Sequence, residues 1–404
     1  VAYFEIAYQG PYKGLDVQLP EILLDPAETP KCSNFWLRNA ELRSTPPFAQ
    51  IFLGPDAHDP PLGQDSFLDA NGNIHTCAYT ANLGLWQLSP FNGYSAQNPW
   101  ALIGTPGVSA SVPVTSPLLP GIPVASQAFA NLLYYTNGTP FVFSWDGIAN
   151  RPVLVSGLTD AIFGGSGSSI GAQFMYEINS QICLLNVTLY NVAQITNPIP
   201  GTGPTTLAAN AVTNFPQLLW YSANGIPDEY DPTVNTSAGF VNFLEVPDLL
   251  TGVMAMGDLA YIFRSNGITQ QTIGGSANQP FIFDHLWASK KGIGNVYPWS
   301  IAQYGSIGMC ISTEQVYMIS INSFQPVGAG ARDAIMADLA KASTDPVASI
   351  IPAYAYGFIY LTYRLSIPMH NFTRHYTYAI EDHCWMQEDT PGLIVTGQAS
   401  TVWR

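Results

Sequence analysis

The sequence predicts an all-β fold, a six-bladed β-propeller with an N-terminal arm and one short helix, and three observations carry that prediction. Helical periodicity is confined to "ARDAIMADLAKA" (Ala331 to Ala342), where Ile335, Met336 and Leu339 share a face. Elsewhere short runs of Tyr, Phe, Ile, Val and Thr alternate with turn clusters, supplied by 35 Gly and 32 Pro among 404 residues. Hairpins also recur, with starts about 40 to 85 residues apart, close to the period of propeller blades with long insertions.

Residues 1–50 read as an arm, rich in Pro and ending in "NFWLRNAELRSTPPF"; residues 51–404 read as the propeller. The six hairpins are Gly72 to Pro90, Ala130 to Gly147, Ala172 to Asn191, Asp258 to Gly275, Gly308 to Gly328 and Tyr356 to Gln387. Each joins an apolar strand through a polar turn to a second strand. A lone hairpin cannot bury its apolar face, whereas sheets packed face to face around an axis bury one another. Two proline-rich stretches, Thr105 to Ser126 and Ile195 to Thr206, read as surface loops or spacers, because Pro fixes φ and removes a ladder donor.

Composition narrows the function classes. Hydrophobic residues make up 47% and charged residues 10%, which supplies a core and excludes global disorder. So low a charge density predicts a surface partly covered by partners. The net charge of −15 argues against binding nucleic acid by phosphate neutralisation, and no basic tail is present for an anionic membrane. No apolar run is long enough for a transmembrane helix, and "VAYFEIAYQG" lacks the regions of a signal peptide. Cys32, Cys77, Cys183, Cys310 and Cys384 are scattered and odd in number, so they read as free thiols of a chain made in a reducing cytoplasm. The N-x-S/T sites at Asn137, Asn186, Asn235 and Asn371 are about as frequent as chance gives.

Candidate chemistry is sparse. His370 and His375 are five apart, with His383 further on, and five residues along a strand point to opposite faces, which is poor for a shared metal. "DANGN" (Asp69 to Asn73) resembles part of a calcium loop but fits a hairpin turn better. Asp228, Glu229 and Asp231 cluster in "GIPDEYDP", where paired carboxylates could hydrolyse glycosides, although acids beside prolines are more often solvated turn residues. "GGSGSS" (Gly164 to Ser169) lacks the lysine of a phosphate-binding loop. Trp36, Trp86, Trp145, Trp220, Trp287 and Trp385 are expected to fill the space between blades rather than stack on sugars. No catalytic, cofactor-binding or metal residue is assigned, no cofactor is expected, and the chain is not read as an enzyme.

One series is more specific. "LLWYSANGIPDEYDP" (Leu218 to Pro232) is followed by "LLTGVMAMGDLAYIFRSNGITQQTIGG" (Leu249 to Gly275) and by "GIGNVYPWSIAQYGSIGMCISTEQVYMISINSFQPVGAGARDAI" (Gly292 to Ile335). This series resembles the β-propeller tail proteins of short-tailed bacteriophages, namely the tail nozzle (tail tubular B) proteins and the packaged-DNA stabilisation or tail-hub proteins. Gly257, Asp258, Ser265, Asn266, Gly267, Gly294, Pro298, Ser300 and Ile301 carry the match, and Asn34 to Phe48 is similar to an early segment of the same proteins. Ala40 stands where that segment often has Gly, and Pro46-Pro47 replaces Pro-Gly.

The resemblance implies a structural virion protein, made in the host bacterial cytoplasm and built into a tail ring below the portal. Its partners would be copies of itself and neighbouring tail or portal-adaptor proteins. Viral DNA would pass transiently without specific binding, since like charge prevents phosphate docking. The alternative is a propeller glycosidase using Asp228 and Glu229, or a carbohydrate-binding protein.

Overall fold

The computed structural model describes residues 61–82, 84–88, 100–104, 107–109, 112–113, 118–139, 141–149, 152–155, 158, 168–191, 212–244, 248–276, 279–286, 293–355 and 358–391. It also describes four short strands nearer the N-terminus: Gly14–Leu15, Glu28–Thr29, Phe35–Arg38 and Glu41–Ser44. The described fold is all-β with one helix. Six antiparallel meanders of four strands follow one another along the chain.

The first sheet is Pro61–Leu68, Ile74–Thr80, Gly84–Leu88 and Trp100–Gly104, and the second is Ala125–Phe129, Leu132–Thr136, Phe143–Trp145 and Val153–Leu154. Ser168–Ile178, Gln181–Asn191, Val212–Tyr221 and Gly239–Asn242 form the third, and Leu250–Met256, Leu259–Arg264, Ile268–Ser276 and Gln279–His285 the fourth. The fifth comprises Ala302–Tyr304, Ile307–Ile311, Val316–Ser320 and Ser323–Pro326. The sixth comprises Val347–Ala355, Phe358–Pro368, Phe372–Ala379 and Cys384–Pro391.

Each of the six sequence-predicted hairpins lies in a different sheet. The helix α1 is Arg332–Leu339, inside the predicted stretch, with Ile335 and Leu339 buried and Met336 half-buried. One expectation is corrected: the first proline-rich stretch is not only loop. Gly107–Ser109 and Val112–Pro113 pair with each other, and Gly107 pairs in parallel with Val153, adding two strands to the edge of the second sheet. Proline is tolerated there because an edge strand need not donate on its outer side. The second proline-rich stretch lies outside the described residues, as does most of residues 1–50.

Two compact units emerge from the internal contacts: residues 50–296 with 396–404, and residues 1–49 with 297–395. In the first unit, alternation along a strand assigns each side chain to one interface. Within "LLYYT" of the second sheet, Leu133 and Tyr135 pack into a cluster with Leu62, Cys77, Tyr79 and Leu85 of the first sheet. Tyr134, between them, packs into a second cluster with Ile182, Leu184, Leu218 and Trp220 of the third sheet. Both faces are covered, so the run is continuously apolar instead of alternating apolar with polar. Leu259–Arg264 in the fourth sheet is likewise buried along its whole length.

The turn that follows that strand is built from "SNG". Arg264 N donates to Gly267 O at 2.8 Å, Ser265 N to Leu249 O at 3.2 Å, and the Asn266 side chain to Asp248 Oδ1 at 2.9 Å. A later segment then lies on the turn, with Asn295 N donating to Arg264 O at 2.8 Å. Gly294 makes the close approach, since a Cβ there would stand 2.1 Å from Ser265 O and 2.6 Å from Asn266 N.

In the second unit the fifth and sixth sheets share one apolar cluster with α1. The buried stripe of α1 contains one charge, Asp338, which faces the sixth sheet. Its Oδ2 accepts from Tyr376 Oη at 2.6 Å and from Arg374 at 3.0 Å. Arg374 in turn makes a two-point contact with Asp389 at 2.9 and 3.0 Å. Helix and sheet are therefore joined by a satisfied ionic cluster as well as by Ile335 and Leu339. The strands Gly14–Leu15 and Phe35–Arg38 run beside Cys384–Pro391.

The Gly294→Ala variant is expected to lose about 1–3 kcal/mol in urea unfolding, because both atoms that the methyl meets are backbone and cannot swing aside. Gly275→Ala, where the methyl meets nothing within 4 Å, is the control and should stay within about 0.5 kcal/mol of the parent.

Candidate functional site

The acidic loop Gly225 to Pro232 connects the last two strands of the third sheet. Backbone bonds fold it on itself: Ala223 N to Glu229 O at 2.7 Å, Ile226 N to Ala223 O at 3.1 Å, and Glu229 N to Ile226 O at 3.2 Å. Its three carboxylates are engaged separately. Asp228 accepts from Tyr134 Oη of the second sheet at 3.1 Å. Glu229 accepts from Asp231 N at 2.8 Å, and Asp231 accepts from the backbone and hydroxyl of Thr233 at 2.8 and 2.7 Å. Those two donors hold the Asp231 carboxyl below its usual pKa. Between the acids, Tyr230 is fully buried, and its carbonyl accepts from Trp220 Nε1 at 3.0 Å. The arrangement fastens a loop to two sheets. A glycosidase instead needs two carboxyls facing one bond from opposite sides.

"DANGN" forms the turn between the first two strands of the first sheet. Asp69 Oδ1 accepts from Asn71 N at 2.9 Å and Asn73 N at 2.8 Å, and Oδ2 from Asn73 Nδ2 at 2.9 Å. His75 Nε2 lies 3.0 Å from the same Oδ2. The amide of Gln87 donates to His75 Nδ1 at 2.8 Å, which leaves Nε2 as the donor to Asp69. The imidazole stacks on Phe67 and meets the edge of Trp145. Gly147 of the second sheet closes over the pair, where a Cβ would stand 2.8 Å from His75 Nε2. Both carboxylate oxygens are thus taken by protein donors, which hold Asp69 well below the carboxylate range and leave no lone pairs aimed at a cation.

The three histidines of the last sheet are dispersed along it. His370 is exposed in the turn before Phe372–Ala379, His383 is exposed in the turn after it, and His375 is buried within it. His375 bonds Ser366 Oγ through Nδ1 at 2.8 Å and Thr390 Oγ1 through Nε2 at 2.9 Å. Burial and then the nearby Arg364 guanidinium hold its pKa down at about 3, against a smaller upward pull from Asp389. Arg364 lies 3.5 Å from Glu388, whose own pKa burial raises. No group of three His, Cys, Asp or Glu side chains poised for a metal occurs among the described residues.

The remaining sequence candidates serve packing. Trp86, Trp145, Trp220 and Trp385 are all buried. Trp145 packs in the cluster shared by the first two sheets, Trp220 in that of the second and third, and Trp385 in that of the fifth and sixth. Trp287 and the side chain of Trp36 lie outside the described residues, as do Gly164 to Gly167 and Cys32. Cys77, Cys183, Cys310 and Cys384 are buried free thiols, and burial pushes Cys183 up to about 12. Asn137 is fully buried, with its carboxamide bonded to Leu119 N, Leu119 O and Ile122 O.

Sequence reasoning missed the buried polar pairs. Ser126 donates to Asp65 at 2.6 Å, Tyr176 bonds Gln271, and the fully buried Arg264 donates to Thr269 beneath the Phe243 ring. In the last sheet a local signal was present in "FTRHYTYA", where Thr373, His375 and Thr377 fall on one face of the strand and are buried. No helix among the described residues is long and apolar enough to cross a membrane.

Comparison with protein families and with curated proteins gives no match. Among solved structures, the AfRom2 CNH domain is 9% identical, with 84% of this chain and 87% of that chain covered at a TM-score of 0.36. The computationally designed Ika8 protein is 9% identical, with 84% and 99% covered at 0.37. PorZ, a surface component of the type-IX secretion system of Porphyromonas gingivalis, is 12% identical, with 69% and 34% covered at 0.25. At these scores the likenesses settle neither fold nor function.

A pH dependence follows from His375. Its folded pKa of about 3 lies below the unfolded value, so its contribution is complete above about pH 6.5 and is lost as pH falls toward 3. Urea unfolding should show about 1 kcal/mol more loss between pH 7.5 and 5.5 in the parent than in His375→Gln.

Proposed function

We propose that the chain is a structural subunit of the tail of a short-tailed bacteriophage. In this reading the six meanders are the blades of a six-bladed propeller, and copies of the subunit form a hub or nozzle-like ring. The ring extends the DNA channel below the portal or its adaptor and helps retain or release the genome. The chain acts without turnover or cofactor.

One observation carries the reading: the residues behind the tail-protein resemblance mark successive structural junctions in chain order. Gly257 and Asp258 make the turn into Leu259–Arg264, and Ser265, Asn266 and Gly267 make the turn out of it. Gly294 lies against Ser265. Pro298–Ser300 is a short 3-10 turn in which the buried Ser300 carbonyl accepts from Tyr363 Oη at 2.9 Å, and Ile301 leads into the fifth sheet. Of these positions Gly257, Asp258 and Asn266 are exposed in their turns, whereas Gly267, Gly294, Ser300 and Ile301 are buried. The separate engagement of Asp228, Glu229 and Asp231 adds weight against the glycosidase alternative.

Mass spectrometry of gradient-purified virus particles, before and after tail detachment, tests the reading. The expected result is the chain at a fixed low copy number in the tail fraction. Its absence from particles, with free protein in the lysate, overturns the proposal. A glycan-hydrolysis screen then decides the alternative, in which turnover by the parent that is abolished in Asp228→Asn and Glu229→Gln would establish a glycosidase.

A further inference from the structure

Asn-Gly pairs are the sites at which a chain most readily attacks itself, because glycine leaves the following amide nitrogen unhindered. The sequence has five: Asn71-Gly72, Asn92-Gly93, Asn137-Gly138, Asn224-Gly225 and Asn266-Gly267. Asn92-Gly93 lies outside the described residues. The fold treats the other four differently. The Asn137 carboxamide is buried and held by three hydrogen bonds. Asn224 Nδ2 donates to Asn179 O at 2.7 Å, and Asn266 Nδ2 donates to Asp248 Oδ1 at 2.9 Å. Asn71 is exposed at the tip of its hairpin, and only its backbone N–H is engaged, by Asp69 at 2.9 Å. Among the described residues nothing holds its carboxamide. Space is also open there, since a Cβ on Gly72 would meet nothing within 4 Å, and the Gly72 N–H is held only by Asp69 O at 3.1 Å.

We infer that Asn71 is a site of spontaneous modification, a deamidation that the fold directs to this turn. The Gly72 amide nitrogen, released from its 3.1 Å bond to Asp69 O and losing its proton to solvent base, bonds to Asn71 Cγ. The bond from Cγ to the side-chain nitrogen breaks and ammonia leaves. Water then opens the resulting five-membered imide at either carbonyl, giving aspartate or isoaspartate. Either product places a new carboxylate beside Asp69 and among the exposed apolar side chains Leu68 and Ile74. Isoaspartate also inserts a methylene between Asn71 N and Asn73 N, the two backbone donors that Asp69 Oδ1 accepts. The modification therefore loosens the Asp69–His75–Gln87 chain of bonds and marks the age of the molecule.

The test is to age the folded full-length chain at mildly alkaline pH, follow each Asn-Gly peptide by mass spectrometry, and label isoaspartate with isoaspartyl methyltransferase. Asn71 should convert about fivefold to tenfold faster than Asn137, Asn224 or Asn266, the rate equivalent of one retained hydrogen bond. In urea the four rates should converge, because the ordering comes from the fold. Equal rates in the folded chain, faster conversion at Asn224 or Asn266, or an Asn71 excess that persists in urea would each overturn the assignment. Asn71→Ser, which keeps a turn-forming residue, should remove that peptide's signal and leave the other rates unchanged.

Discussion

Burial on both faces is the constraint on which the described sheets depend. A meander of four short strands has little apolar surface of its own, and its stability comes from what lies against each face. The second sheet shows the consequence most simply. Leu133 and Tyr135 belong to one interface and Tyr134 to the other, so one strand takes part in two cores. Removing any such residue opens a cavity between sheets, where relaxation is limited because both neighbours are themselves paired in ladders. The same constraint disfavours charge at strand positions that face either core.

Charged groups that do enter arrive with partners. Asp338 sits in the buried stripe of a helix only because Arg374 and Tyr376 meet it from the sheet. Arg374 is held charged by Asp389 first and by Asp338 as well, whereas His375, on the opposite face of the same strand, is held neutral by burial and by Arg364. Alternation of two residues thus separates a charged face from a neutral one within a single strand. Such clusters fix register: a slip by one residue would exchange Arg374 with His375 and leave a buried carboxylate unpaired.

These features divide what the sequence discloses from what it conceals. The six hairpins were legible because their signals are local, a turn cluster between two apolar runs, and so was the separation of His370, His375 and His383, which follows from strand periodicity. The helix was legible from Ile335 and Leu339, although its last turn stops short of Ala342. The edge strands Gly107–Ser109 and Val112–Pro113 were not, because proline and glycine dominate the stretch and the pairing with Val153 is made across the chain. Tyr134 and Asp228 are 94 residues apart and Asp65 and Ser126 are 61 apart, so no spacing rule could join them. The acidic loop looked like chemistry in sequence because three carboxylates are adjacent. In the structure, Asp228 answers to Tyr134 of another sheet, which local reading could not supply, and Glu229 and Asp231 to donors two residues further along the chain.

The placement of the basic residues gives the net charge its meaning. Of 13 Lys and Arg, Arg264 is fully buried, and Arg364 and Arg374 are drawn into the last sheet with side chains 23% exposed. Each is committed to hydrogen bonds or carboxylates within the fold, whereas Arg332 and Lys341 stand at the surface and the other Lys and Arg side chains lie outside the described residues. Among the described acids, Asp228, Glu381 and Asp389 are exposed in loops and at strand ends, while Asp65, Asp69, Asp338 and Glu388 are buried with partners. The net charge of −15 sets the sign of the long-range field of the chain. A surface of that sign repels a polyanion at a range set by salt, about 8 Å at physiological ionic strength. Under the tail-subunit proposal that repulsion would be useful, because every phosphate docked on a Lys or Arg would have to be released before the strand could advance.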